Sequence, residues 1–189
     1  ANTFRFTGDN IVFAIDKFVN ITGSFAVTKT SDITVTLSDG NDLVVDQLLI
    51  SAVDVNAFIG VNGPATSADA IGLNVVSGNV ALALMSVKQA ESPAASDPID
   101  KRSFTAMKMD VADASLIGNS GVDFTIKDFS VELNRGGGTL DSDGSGGDDP
   151  IDNNLVVDFG SAALEVGAVT LDFDGQKGSF TEVKGRLEL

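Results

Sequence analysis

The chain has 189 residues and a net charge of −15, from 27 acidic residues (22 Asp and five Glu) against 12 basic ones, and it contains no His, Cys, Trp or Tyr. Without imidazole or thiolate, zinc, copper, haem and iron–sulfur centres lose their usual ligands, and no side chain titrates near neutrality at its ordinary pKa. The negative field repels nucleic acid and anionic membrane surfaces, while a hydrophobic fraction of 43% is enough to build a core.

These absences leave an active site short of proton shuttles and nucleophiles, so the chain is expected to be non-catalytic. No apolar run is long enough for a membrane helix, and no membrane insertion is expected. The chain starts at Ala1 with no Met and no basic-then-apolar leader, which suggests a processed product or a fragment. The missing Cys and the surplus of Asp together point outside the cytosol, to an extracellular or cell-surface location where calcium takes the place of disulfides, or to a saline habitat in which Asp keeps the surface soluble.

In chain order, the dominant periodicity is two. Phe4-Arg5-Phe6, then 33–37 and 80–84, alternate apolar with small or polar residues, the pattern of half-buried strands. Residues 124–126, 130–133, 169–173 and 186–189 continue it. Asp39-Gly40, Asn62-Gly63 and Asp174-Gly175 mark turns, and the four prolines (Pro64, Pro93, Pro98, Pro150) fall between strand-like runs. Helical signals are weak: 44–50 is too short to separate from a buried strand, and 65–71 suggests a single turn. The expected core is aromatic, built on Phe4, Phe13, Phe25, Phe58, Phe104, Phe124, Phe129, Phe159, Phe173 and Phe180.

A degenerate motif recurs: an apolar residue, a variable one, Gly or Asp, another variable one, then alternating apolar residues. Copies lie at 21–27, 76–82 and 183–189, with a looser one at 126–131. Either these are internal repeats, or they are the strand–turn–strand grammar common to β proteins. Strand-like sequence near both ends of the chain would be an aggregation liability in a lone domain, and makes sense where neighbouring units continue the sheet. Two stretches lack core spacing: 89–102, rich in Pro, Ala and Ser, and 136–154, rich in Gly and Asp. Both are expected as loops inserted into one β module spanning 1–189.

The second stretch carries the one motif with chemistry in it. Laid on the twelve-position calcium loop, Asp141, Asp143 and Ser145 take the first, third and fifth positions, and Gly146 the sixth, where the turn is sharp. Gly147 would offer its carbonyl, Asp149 a direct or water-mediated contact, and Asp152 the last carboxylate. Asp at the last position is too short for the usual bidentate contact, so the site would be weak and suited to extracellular calcium. The alternative is a solvated loop, since Gly, Asp and Ser are what such loops contain. Asp172 and Asp174, like Asp39 and Asp42, are better explained as the polar side of a strand than as acid pairs. Lys101-Arg102 is a solvated basic pair, and the sequon at Asn20-Ile21-Thr22 is given little weight.

The segments LLISAVDVNAFIGVNG, ADAIGL, VALALMS, FTIKDFSVELNR, VVDFG and VTLDFDGQKG together resemble repeat units of giant secreted bacterial surface proteins of the LEPR-XLL, calcium-binding adhesin-like kind. The resemblance spans most of the chain, and both long loops look like insertions relative to it. It implies a surface, adhesive or scaffolding role in which the end of one unit meets the start of the next.

The expected fold is all-β, an elongated solenoid-like or meander rod, with a β-sandwich as the alternative. The expected function is structural: head-to-tail association with copies of itself or with adjacent repeats of the same polypeptide. Rival readings are a calcium-dependent module for a glycan or cell-surface ligand, a carboxylate hydrolase needing a buried acid pair, and a lipid-carrying β groove.

Overall fold

A computed structural model describes residues 2–89, 99–118, 124–145, 147, 149 and 151–189. Its strands are β1 (Thr3–Ile15), β2 (Val19–Thr36), β3 (Asp42–Val61), β4 (Ile71–Val87), β5 (Ile99–Asp100), β6 (Ser103–Ile117), β7 (Phe124–Gly137), β8 (Leu140–Asp141), β9 (Leu164–Val166), β10 (Val169–Leu171) and β11 (Phe180–Glu188). Seven of them form one antiparallel sheet in the order β1-β2-β3-β4-β6-β7-β11, so the all-β fold is a meander. The run 44–50 lies inside β3, where its Val, Leu and Ile side chains suit a pleated surface.

The turns fall where Gly and Asn mark them. Gly40 has φ 83° in the β2–β3 turn, where its amide bonds the Leu37 carbonyl. Asn62 has φ 59° after β3, and the following loop makes two tight turns, Ser67 N–H to Pro64 C=O and Ala70 N–H to Ser67 C=O. At Asp174-Gly175 a single 3₁₀ turn covers Gly175–Lys177, capped by the Asp174 side chain on the Gln176 amide.

The motif copies are not turns. They fall in mid-strand, and their centres form a row across the sheet. Asn10 on β1 (φ 51°), Asp54 on β3 (φ 51°), Ser77 on β4 (φ 54°) and Asp128 on β7 (φ 52°) are left-handed residues within strands. The β1–β2 register slips between Gly8 and Ile11, opposite Gly23; β2–β3 slips opposite the same glycine; β7–β11 slips between Lys184 and Arg186, beside Gly185. These are β-bulges, and each extra residue reverses which face the following side chains occupy. Hence Phe4 and Phe6 precede the bulge at even positions, and Ile11, Phe13 and Ile15 follow it at odd ones. A Cβ on Gly8 would stand 2.5 Å from Ile11 Cδ1, and one on Gly185 would lie 3.1 Å from Ile126 and 3.3 Å from Phe129. Both contacts place the apolar sets on either side of the row on one face.

The bulge row divides the sheet into two halves with different partners. In one half, residues 155–173 fold back over a single face. Leu37, Val45, Ala81, Ala83, Met85, Phe104 and Ala106 of the sheet pack there against Val157, Phe159, Val166, Val169, Leu171 and Phe173. Backbone bonds pin this lobe along the end of β2: Ser38 N–H to Val156 C=O at 2.8 Å and Asp158 N–H to Thr36 C=O at 2.9 Å. Phe173 meets Phe159 and Phe180 edge to face, with ring centroids 6.2 and 5.4 Å apart. Asn134, fully buried, donates from Nδ2 to the Val157 carbonyl at 2.8 Å.

The opposite face has no such cover among the described residues, and this corrects the aromatic core expected from sequence. Phe58, Phe104, Phe159 and Phe173 are buried, and Phe180 packs on the cluster that holds the last three. Phe25, Phe124 and Phe129 are half-buried, while Phe4 and Phe13 are 67% and 54% exposed. All five lie on the face away from the lobe, where no second layer meets them.

Candidate functional site

The sheet displays three candidate surfaces: the Asp-rich loop, the two outer edges and the uncovered face. The two inserted stretches meet rather than hang free, since β5 from the first pairs with β8 from the second through Ile99–Asp141 and Asp100–Leu140. Asp100 also holds Arg102 through both carboxylate oxygens, with Nη2 to Oδ2 at 2.6 Å, and this raises the Arg102 pKa.

Beyond β8 the chain turns on its own carboxylates. The Ser145 amide donates to Asp141 Oδ1 at 3.1 Å and to Asp143 Oδ1 at 2.9 Å. The Ser142 amide donates to Asp149 Oδ2 at 2.7 Å, and Asp149 bridges back to Leu140. Asp141 is buried. Bonding to Ser145, through hydroxyl and amide, holds the Asp143 carboxyl below its ordinary pKa, and Ser142 does the same for Asp149. Asp152 belongs to a separate turn, its carboxylate accepting from the Asn154 amide at 2.8 Å and its carbonyl from the Leu155 amide. Gly147 lies beside the Ser145 hydroxyl, which would be 3.7 Å from a Cβ placed there. Gly146 lies outside the described residues.

The structure thus gathers Asp141, Asp143, Ser145 and Asp149 around one loop and sets Asp152 apart. The gathered carboxylates face amide donors, and among the described residues no group of three acids stands close enough to hold a metal ion. Calcium would have to draw Asp141 and Asp143 off the Ser145 amide and bring in backbone carbonyls. The residue types fit a hard cation; their arrangement fits a loop closed by its own hydrogen bonds.

The outer edges belong to β1 and β11, which end the strand order. Both are long for edge strands, with 13 and nine residues, and among the described residues neither pairs on its outer side. β11 carries alternating charge, with Lys184–Glu182 and Arg186–Glu188 ion pairs of 3.1 Å each, which keeps that edge hydrated. β1 carries Arg5 and Asp9 among otherwise uncharged residues.

The uncovered face can be read off the cross-strand register, since directly opposed residues share a face. One row runs Phe6–Val27–Ile50–Leu82–Met107–Leu133 through six strands. Beyond the bulges a second runs Phe13–Ile21–Ala57–Val75–Ala114–Ile126–Leu187 through all seven. On the other face the matching outer row is polar, Asn20–Phe58–Asn74–Ser115–Thr125–Glu188, with Phe58 sheltered against Gly60 and Gly63. The recurring Gly or Asp motif coincides with these bulges. The signal was the switch from even to odd apolar positions within an unbroken strand.

Four hollows on the surface each bring one carboxylate to their described walls: Asp46 in a trough of about 500 Å³ beside Leu48 and Leu84, Asp152 beside Arg102, Asp158 beside Ile33, and Glu165 beside Arg5. In comparisons with known proteins, no family model, no curated sequence and no solved structure matches this chain.

Proposed function

We propose that the chain is a non-catalytic structural module of an extracellular bacterial surface or fibre protein, joined to neighbouring units by continuation of its sheet. The observation that carries this is the pair of edges left unpaired among the described residues on one wide antiparallel sheet of long strands. An edge strand presents a row of unpaired N–H and C=O groups, and another strand satisfies them all at once. The absence of Cys, the excess of Asp and the resemblance to secreted surface proteins support the location.

The topology adds a constraint. Seven antiparallel strands leave β1 and β11 running in the same direction. Head-to-tail addition by translation therefore pairs β11 with the β1 of the next unit in parallel. A half-turn about the sheet normal instead pairs like edges antiparallel, the slightly stronger ladder. Both arrangements leave every apolar face on the same side of the extended sheet.

Small-angle scattering over a concentration series tests the proposal, using the parent chain with Arg5→Pro and Phe6→Pro. Adjacent residues on an edge strand point their amides to opposite sides, so one of these two prolines removes an outward donor. Elongated particles that grow with concentration, and shorten in that variant, are expected. A particle of fixed size that neither proline alters ends the proposal.

The Asp-rich loop bears on the rival reading as a calcium-dependent adhesion module. What favours it is the convergence of Asp141, Asp143 and Asp149 on a single loop at the sheet end. Once Asp141 and Asp143 left the Ser145 amide, a bound calcium would brace the β5–β8 pair, and the proposed cofactor is that ion at millimolar affinity.

A further inference from the structure

We propose that the uncovered apolar face is closed by the same face of a second copy of this chain, so that two sheets stack into a sandwich. The inference goes beyond edge pairing, which lengthens a sheet but leaves this face in water.

Three observations carry it. The first is area. Six strands of 13 to 20 residues and the nine-residue β11, about 4.8 Å apart with 3.3 Å per residue, span roughly 1,300 Å². A stable partner interface takes about 800 Å² per side, and an exposed apolar patch on a monomer rarely exceeds a few hundred Å². The second is continuity. The bulges cost backbone strain at Asn10, Asp54, Ser77 and Asp128, and what they achieve is one unbroken apolar face past the row. A bulge-free sequence would have turned Ile11, Phe13 and Ile15 to the polar side.

The third is charge. Among the described residues, charge enters this face at one end, through Lys29, Asp42, Asp46 and Arg135, paired beside Phe4, Thr36, Ser86 and Thr105. The −15 net charge is therefore carried mainly elsewhere and does not oppose contact at the centre of the face. The same surplus of acids argues against the other apolar occupant, an anionic lipid, whose phosphate would meet a repelling rim. A copy of the chain supplies a matched apolar face. Two such sheets pack about 10 Å apart with side chains interdigitating, as in sandwich folds.

Sedimentation velocity on the whole chain, with lipid extraction and mass spectrometry on the same sample, tests this. The parent is expected as a dimer or a multiple of dimers. Its association should tighten with salt, since salt screens the repulsion between two acidic chains. Leu82→Asp, at the centre of the face, should weaken dimerisation about 100-fold or more, because it buries an unpaired charge. Leu73→Asp, 38% exposed beyond the bulge row, gives a second reading should Leu82→Asp misfold by circular dichroism. Arg5→Pro separates the two proposals, because Ser31 N–H bonds Asn2 C=O, so the even residues of β1 bond β2 while Arg5 turns its amide outward and its side chain away from this face: loss of edge pairing removes species larger than the dimer and leaves the dimer itself. A monomer at 100 µM in high salt, a monomer carrying stoichiometric lipid, or a dimer indifferent to both aspartates overturns the stacking.

Discussion

The two halves of the sheet share strands, topology and residue types, yet only one has a core. On the lobe side, Ala81, Ala83 and Ala106 are fully buried because residues 155–173 lie on them. Past the bulge row, larger residues such as Ile59, Ile71 and Leu73 remain 55%, 47% and 38% exposed. Hydrophobicity alone does not make a core; a second layer does. Where the lobe lies on the sheet, large and small residues alike are buried, and past the row even large ones stay exposed.

Substitutions on either side of the row test that difference most strongly. Leu171→Ala removes a fully buried side chain from the lobe and is expected to cost about 2–5 kcal/mol. Val12→Ala, at a 65% exposed position beyond the bulges and on the polar face, should stay within about 0.5 kcal/mol. Urea denaturation of the two variants measures both. Equal costs would mean that the second half is covered as well as the first.

The row itself can be broken at Asp128. A β-branched residue is strained at positive φ, so Asp128→Val is expected to cost about 2 kcal/mol, whereas Asp128→Gly should be close to neutral. If both variants melt with the parent, the bulge is not held by the sheet. A smaller effect tests how the lobe is anchored. Asn134→Ala leaves the Val157 carbonyl without its Nδ2 donor, and a loss of about 1–2 kcal/mol is expected in the same assay. No loss would show that the apolar packing holds the lobe unaided.

Much of the strand content was legible because period-two alternation is a local signal, and so were the turns at Asp39-Gly40, Asn62-Gly63 and Asp174-Gly175. The lobe was not. Residues 155–173 contain strand-like runs, but whether they join the main sheet or fold across it depends on contacts with β2 and β7 far away in sequence. The core expectation failed at Phe4 and Phe13 for the same reason, since burial belongs to a partner layer and not to a side chain. The recurring Gly or Asp motif was visible, but a bulge and a turn need the same residue types. Only the register across seven strands tells them apart. In the Asp-rich loop the acids were legible. Their bonding to the Ser142 and Ser145 amides was not, because Asp in a loop closes turns as readily as it binds cations.

That ambiguity makes the loop the place for the smallest predicted effect. Asp143 and Asp149 have folded-state pKa values below the ordinary Asp value of 3.8, lowered by bonding to Ser145 and Ser142 respectively. A depressed carboxyl contributes stability above its unfolded pKa and loses it as pH falls through the folded one. Melts of the parent between pH 5 and 2 should therefore drop more steeply below about pH 4 than those of a chain carrying Asp143→Asn and Asp149→Asn. At neutral pH, millimolar calcium competes with the same amides, so any rise in Tm is expected to be a few degrees at most. The Asp141→Asn variant should abolish it, because Asp141 holds the first position of the loop and is buried where the ion would sit. A parent chain whose Tm is the same in calcium and in chelator would leave the hydrogen-bonded turn as the loop's whole role. A rise that survives Asp141→Asn would place the ion elsewhere on this acidic surface.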